Sequence, residues 1–190
     1  MQKKILILSE FGSGHTKAAE ALAQSIAYLE PSIHTQIVEI GKMLHPTRTS
    51  FFFRVYTVYP FLWKKIYESK QNQPISQWLQ FTIYQLFHRN IEQILDKIQP
   101  DLIICTHPFN SSSIARLKKM GYPVRLCTVI TDFHTHGIWV QPEVDLYLVM
   151  EGVRSNIDLY RIQRFAKVYL AAQRTLSAST YRDFGLCRHD

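Results

Sequence analysis

His15 stands at the mouth of a glycine turn, Gly12-Ser13-Gly14, where an imidazole can face a ligand and exchange a proton near neutral pH. Before the turn, Ile5 to Leu8 is a continuous apolar run that predicts a strand buried on both faces. From Thr16 onward a stretch rich in Ala, Leu, Glu and Lys predicts a helix. A strand that feeds a glycine turn and a helix leaves unpaired backbone N–H groups at the helix start, where the dipole favours negative charge. The turn is therefore a candidate phosphate or carboxylate site. The dinucleotide fingerprint Gly-x-Gly-x-x-Gly fails, because Lys17 stands where the third glycine belongs, and no Walker pattern fits because Lys17 lacks its preceding glycine. Taken alone, the turn reads equally as a tight connection with a capping histidine.

Further polar residues of chemical interest follow two later apolar runs. Asp101 to Thr106 ends in His107-Pro108, and Arg125 to Thr131 runs into Asp132, His134 and His136. Asp132-x-His134-x-His136 invites a metal reading, since carboxylate and imidazole are good ligands and alternate residues of an extended chain share a face. Two-residue spacing recurs by chance and no further ligand cluster accompanies it, so no metal is assigned and His134 and His136 equally form a polar rim. Trp139 and Pro142 follow closely and are placed to wall an apolar pocket.

The elements that must position these residues alternate. His34 to Ile40 is a second strand, so the opening is a β-α-β unit, and Asp101–Thr106, Arg125–Thr131 and Asp145–Val149 supply three more strands. Pro74 opens a helical pattern to Ile98 with apolar residues at Trp78, Phe81, Leu86, Ile91 and Leu95, and Ser111 to Met120 is a helix ended by Gly121. Such alternation means an α/β fold with a parallel sheet, whose ligands gather at the carboxyl ends of the strands. That rule places His15, His107, Asp132, His134 and His136 on one edge, from three strand exits.

One segment breaks the pattern. Ser50 to Glu68 packs eight aromatic and three basic residues into one stretch. On a helix Phe52, Tyr56, Tyr59, Trp63 and Tyr67 form one stripe, with Arg54, Lys64 and Lys65 beside it and Pro60 as a kink. An ordinary core helix would show the same stripe. Rings flanked by cations also suit a lipid–water interface, and aromatics among basic residues can stack bases. No recognition helix or aromatic sheet motif accompanies it, and nucleic acid is set aside as a partner.

Composition agrees with a folded chain that meets an anionic surface, membrane or nucleic acid. Hydrophobic residues make up 46% of 190, which excludes disorder, and no run of eighteen uncharged apolar residues or signal peptide is present, so cytoplasmic residence is expected. The net charge of +7 is concentrated: residues 41 to 70 hold six basic residues against Glu68, and residues 151 to 190 contribute +3. Such a local excess suggests an anionic partner surface. Cys105, Cys127 and Cys187 are odd in number, and the first two lie in strand-like runs, so buried reduced thiols are expected.

The combination of FGSGHTKAAEAL, PDLIICTHP and VITDFHTHGIWVQPEVDLYLV, in that order over residues 1 to about 150, resembles the N-terminal domain of bacterial processive diacylglycerol glucosyltransferases and plant monogalactosyldiacylglycerol synthases. The resemblance implies a Rossmann-like domain, the N-terminal half of a GT-B glycosyltransferase that holds the lipid acceptor while a second domain binds UDP-sugar. It implies inverting transfer of glucose or galactose to the free hydroxyl of diacylglycerol, with no cofactor. His15 matches the family's glycine-turn histidine and would act as general base. Asp132 matches the family's aspartate and would orient His15 or the acceptor hydroxyl. Gly12, Ser13, Gly14, His107, His134 and Trp139 would line the acceptor side. Phe52, Arg54, Tyr56, Tyr59, Trp63, Lys64 and Lys65 lie where the family carries its membrane-docking segment, which makes anionic lipid a partner and the inner face of the cell membrane the expected location.

Beyond Val149 the pattern departs from the family. Glu151 to Asp190 shows neither the expected linker nor a nucleotide-sugar motif, and is expected to be a divergent tail with the donor domain absent. The expected behaviour is therefore an acceptor half inactive alone, needing a C-terminal domain to use UDP-sugar. Two alternatives stay open: a noncatalytic lipid-binding module, and a small-molecule α/β nucleotide-binding enzyme.

Overall fold

Strand β1, Lys4–Ser9, buries Leu6, Ile7 and Leu8 completely. A strand takes part in two cores at once when both of its faces are apolar. Leu6 and Leu8 join Ile103, Cys105 and Leu126 on one face of the sheet, and Ile7 joins Ile104, Cys127 and Ala19 on the other. The computed structural model describes residues 2–59, 61, 76–132, 137–150 and 167–171.

The sheet is parallel throughout and ordered β2-β1-β3-β4-β5-β6, with β2 at His34–Glu39, β3 at Leu102–Cys105, β4 at Leu126–Ile130, β5 at Leu146–Met150 and β6 at Lys167–Ala171. The Rossmann-like α/β architecture is thus present, and the five expected strands stand within a residue or two of their expected limits. A sixth strand, β6, pairs with β5 from residues in the stretch expected to be a tail. Strand order reverses between β1 and β3, the switch point at which a crevice opens beyond the carboxyl ends of such sheets. Cys105 and Cys127 are buried free thiols, and burial pushes the Cys127 thiol up to about 12; Cys187 lies outside the described residues.

Helix α1, Ser13–Leu29, packs on the Ile7 face. It begins three residues earlier than the composition suggested, which draws Ser13, Gly14 and His15 into its first turn. Helices α2, Ile40–Leu44, and α3, Pro46–Val58, follow β2; α3 ends before Pro60, which cannot continue a helix.

The long helical pattern expected from Pro74 to Ile98 is three pieces. Ser76 caps α4, Gln77–Ile83, which runs into a π-helical turn, Tyr84–His88; Asn90 then takes a left-handed conformation before α5, Ile91–Ile98. Its apolar stripe is also corrected. Ile91 and Leu95 are fully buried, but Trp78 is 73% exposed and Phe81 and Leu86 are exposed, while Gln80, Ile83, Phe87 and His88 face inward. The buried polar residues are tolerated because partners reach them: Gln80 Nε2 donates to Gln141 Oε1 and the Ser112 carbonyl. Helix α6, Pro108–Lys119, is capped by His107, and a 3-10 turn spans Gly137–Trp139. Among the described residues no helix is long and apolar enough to cross a membrane.

Candidate active site at the switch point

β1 leaves the sheet through a sharp bend. Phe11 has φ 36° and Gly12 has φ 104°, the second a conformation that only glycine adopts readily. Gly12 caps α1 without a side-chain bond, and no acidic residue occupies the first turn, so that turn's N–H groups and dipole keep their positive character. A Cβ added at Gly14 would meet nothing within 4 Å. Glycine there leaves the backbone open to whatever approaches the bend.

Thr106, at the exit of β3, holds His15 at two points. Its hydroxyl donates to the His15 carbonyl oxygen at 3.1 Å, and its own carbonyl lies 2.8 Å from His15 Nδ1. A carbonyl only accepts, so Nδ1 carries the hydrogen and the neutral ring presents its lone pair at Nε2. The Thr131 hydroxyl, 2.9 Å from the same Nδ1, is placed to share that hydrogen.

The charge around the ring is mixed. Burial lowers the His15 pKa most, while the Asp132 carboxylate and the Thr106 bond pull it back up. Asp132 therefore acts on His15 through its field and accepts from Trp139 Nε1 at 2.8 Å. Trp139 is fully buried, so it supports Asp132 from within the core rather than presenting its face to a cleft. The Tyr147 hydroxyl fixes that segment, sharing its one hydrogen between the carbonyls of Trp139 and Gln141 and accepting from Gln141 N–H.

His107 meets His15 edge to face, with ring centroids 4.6 Å apart. Its Nδ1 accepts from Phe109 N–H and caps α6, which puts the ring's hydrogen on Nε2. Three strand exits thus bring His15, His107 and Asp132 together. His134 and His136 lie outside the described residues, as do Trp63, Lys64 and Lys65. Thr106, Thr131 and Tyr147 were not singled out from sequence. For the two threonines a signal was available, since each sits at a strand exit beside a residue that was chosen.

A pocket of about 400 Å³ opens at the bend, with Gly12, Ser13, Lys17, Lys42, Thr49 and Phe53 among its walls. His15 is not among them. Ser50 and Phe53 also line a second, shallower groove of about 570 Å³ along α3 with Phe51, Arg54 and Val58. Along α3, Phe51 is 70% exposed, and Phe53, Arg54, Val58 and Tyr59 are exposed with it. Phe52 is turned the other way, half-buried, its ring 4.7 Å from Phe87. The Tyr56 side chain lies outside what is described.

The family model described as monogalactosyldiacylglycerol (MGDG) synthase matches residues 15–156. The processive diacylglycerol beta-glucosyltransferases of Bacillus cytotoxicus, Bacillus thuringiensis and Bacillus anthracis are each 30% identical over 159 residues, covering 77% of this chain. The chain spans 38% of the length of these curated relatives. No solved structure matches it. The match takes in His15, the Thr106-His107 exit and the Thr131-Asp132 exit, and the chain belongs to the monogalactosyldiacylglycerol synthase family.

Proposed function

We propose that this chain is the acceptor-binding half of a glycosyltransferase that moves a sugar from a UDP-sugar to diacylglycerol, with His15 as general base. The observation that carries this is the Thr106 carbonyl at His15 Nδ1, which leaves Nε2 as the free basic atom beside the bend. Nε2 takes the proton of the lipid hydroxyl as its oxygen bonds to the anomeric carbon. The bond from that carbon to the UDP oxygen breaks with its electron pair, and attack opposite the leaving group inverts the centre. The Asp132 carboxylate stabilises the imidazolium that forms. General-base help of this kind is worth about 10²–10⁴-fold.

The relatives extend well beyond the part matched here, and the sugar-nucleotide site is assigned to that remainder. The 190-residue chain alone neither binds UDP-sugar tightly nor turns it over. The exposed rings of α3, with Arg54, dock the protein at an anionic membrane on its cytoplasmic face.

A noncatalytic lipid-binding module is the second function to test, because the 400 Å³ pocket does not include His15. Calorimetry with UDP-glucose and sedimentation with diacylglycerol vesicles separate the cases. Vesicle binding without submicromolar UDP-glucose affinity is expected, and submicromolar affinity would overturn the assignment of the donor site. His15→Ala leaving both vesicle binding and cellular glycolipid unchanged would favour the module.

A further inference from the structure

Glu10 is the residue before the bend, and its carboxylate is fully buried. Oε2 accepts from Gly41 N–H at 2.9 Å and lies 3.5 Å from His88 Nε2, while Oε1 has no hydrogen-bond partner. His88 is itself fully buried, with Nδ1 2.7 Å from the Ser113 hydroxyl. Neither residue has a part in the chemistry above.

Three local irregularities converge on this carboxylate. The first is the π-helical turn, whose extra residue lets two consecutive side chains, Phe87 and His88, both face the core. The second is Gly41, where an added Cβ would sit 2.4 Å from Glu10 Oε1, so only glycine leaves the carboxylate room. The third is Phe11, left-handed at φ 36°, its ring 5.3 Å from that of Phe87. A residue held in that conformation persists only where its surroundings over-determine it. Phe87 and His88 thus pack against Phe11 and Glu10 in turn, four and five residues before His15.

We propose that Glu10 and His88 are positioning residues for His15: the π-helical turn clamps the exit of β1 and fixes the bend from which the imidazole is aimed. Stability alone does not call for the pair, because buried polar pairs are often replaced by apolar residues of similar volume with no loss. The bend is also reached from its other side, since the Phe11 ring packs 5.4 Å from His107, which touches His15. The role rests on the reading of His15 as base, but it is tested on the ring rather than on sugar transfer.

The test follows the His15 imidazole by nitrogen NMR through a pH titration, in the 190-residue chain, with thermal melting measured alongside. Glu10→Met removes the carboxyl group at similar volume, and Gly41→Ala displaces the carboxyl group while keeping it. A cooperative melt should persist in at least one variant, while the His15 midpoint rises toward the free-imidazole value by about half a pH unit or more and the Nδ1–H signature weakens. An unchanged His15 titration in whichever variant folds overturns the proposal. Loss of cooperative melting in both also overturns it, since the pair would then hold the whole fold rather than aim one ring. A moved ring alongside full transfer activity in His15→Asn, read in the chain joined to the remaining part of a matching glucosyltransferase, would leave the clamp standing and remove the base.

Discussion

The carbonyl oxygen of Thr106 lies 2.8 Å from His15 Nδ1, and the Thr106 hydroxyl reaches back to the His15 carbonyl. One residue at the end of β3 therefore fixes the ring's rotation and its tautomer together. Because β1 and β3 are neighbours at the switch point, their pairing sets this contact, and Ile7 opposite Ile104 carries the register to within a few residues of it.

The sign of the pH response follows from burial. His15 has its pKa lowered, so it stays neutral below the usual value of about 6.5. The acid limb of transfer should have its midpoint below 6.5. For stability, the unfolded chain binds the proton in the window between the lowered value and about 6.5 while the folded chain does not. His15's contribution is thus complete above 6.5 and is lost as pH falls through that window. Asp132→Asn removes a charge that raises the His15 pKa and should lower it further, as a nitrogen NMR titration would read. A rise would contradict the placement of Asp132.

The two glycines of the bend should part company. Gly12→Ala forces a side chain to φ 104° and should cost about 1–3 kcal/mol in denaturant unfolding. Gly14 is inside α1 with open space around its missing Cβ, so Gly14→Ala should leave stability unchanged or raise it by up to about 1 kcal/mol. If the acceptor approaches over that backbone, the same Gly14→Ala lowers transfer. A stable variant with full transfer would remove the approach path.

Membrane docking is read most simply on α3. Arg54→Glu should weaken sedimentation with anionic vesicles by at least about fivefold, since a basic residue near such a surface contributes about 1 kcal/mol. Phe51→Ser with Phe53→Ser should weaken binding to anionic and neutral vesicles alike, because apolar burial does not depend on lipid charge. Phe52→Ser should act on melting temperature instead, since its ring packs against Phe11 and Phe87. Vesicle binding that survives Arg54→Glu and the paired Phe51→Ser and Phe53→Ser would place the docking surface elsewhere.

Much of the scaffold was legible because buried parallel strands read as continuous apolar runs, and Ile5–Leu8 and Leu102–Cys105 have no competing pattern. The convergence of His15, His107 and Asp132 was legible for a related reason: each follows such a run, and topology alone brings strand exits to one edge. The segment from Pro74 to Ile98 was not legible in phase. Trp78 and Phe81 read as apolar positions of the stripe, whereas the burial of Gln80 and His88 depends on Gln141, Ser113 and Glu10, far away in sequence. A π-helical turn shifts the period at the place where a helical stripe is being counted. Trp139 is buried with its indole N–H directed at Asp132, a partnership that its place in the sequence did not suggest.

The most direct measurement is sugar transfer to diacylglycerol by this chain joined to the remaining part of a matching glucosyltransferase, in native and His15→Asn forms. The asparagine amide can still donate to the Thr106 carbonyl but offers no base where Nε2 stood. The predicted result is a fall in kcat of about 10²–10⁴-fold with the KM for the UDP-sugar unchanged. A rate within about threefold of native would show that the lipid hydroxyl loses its proton to some other group.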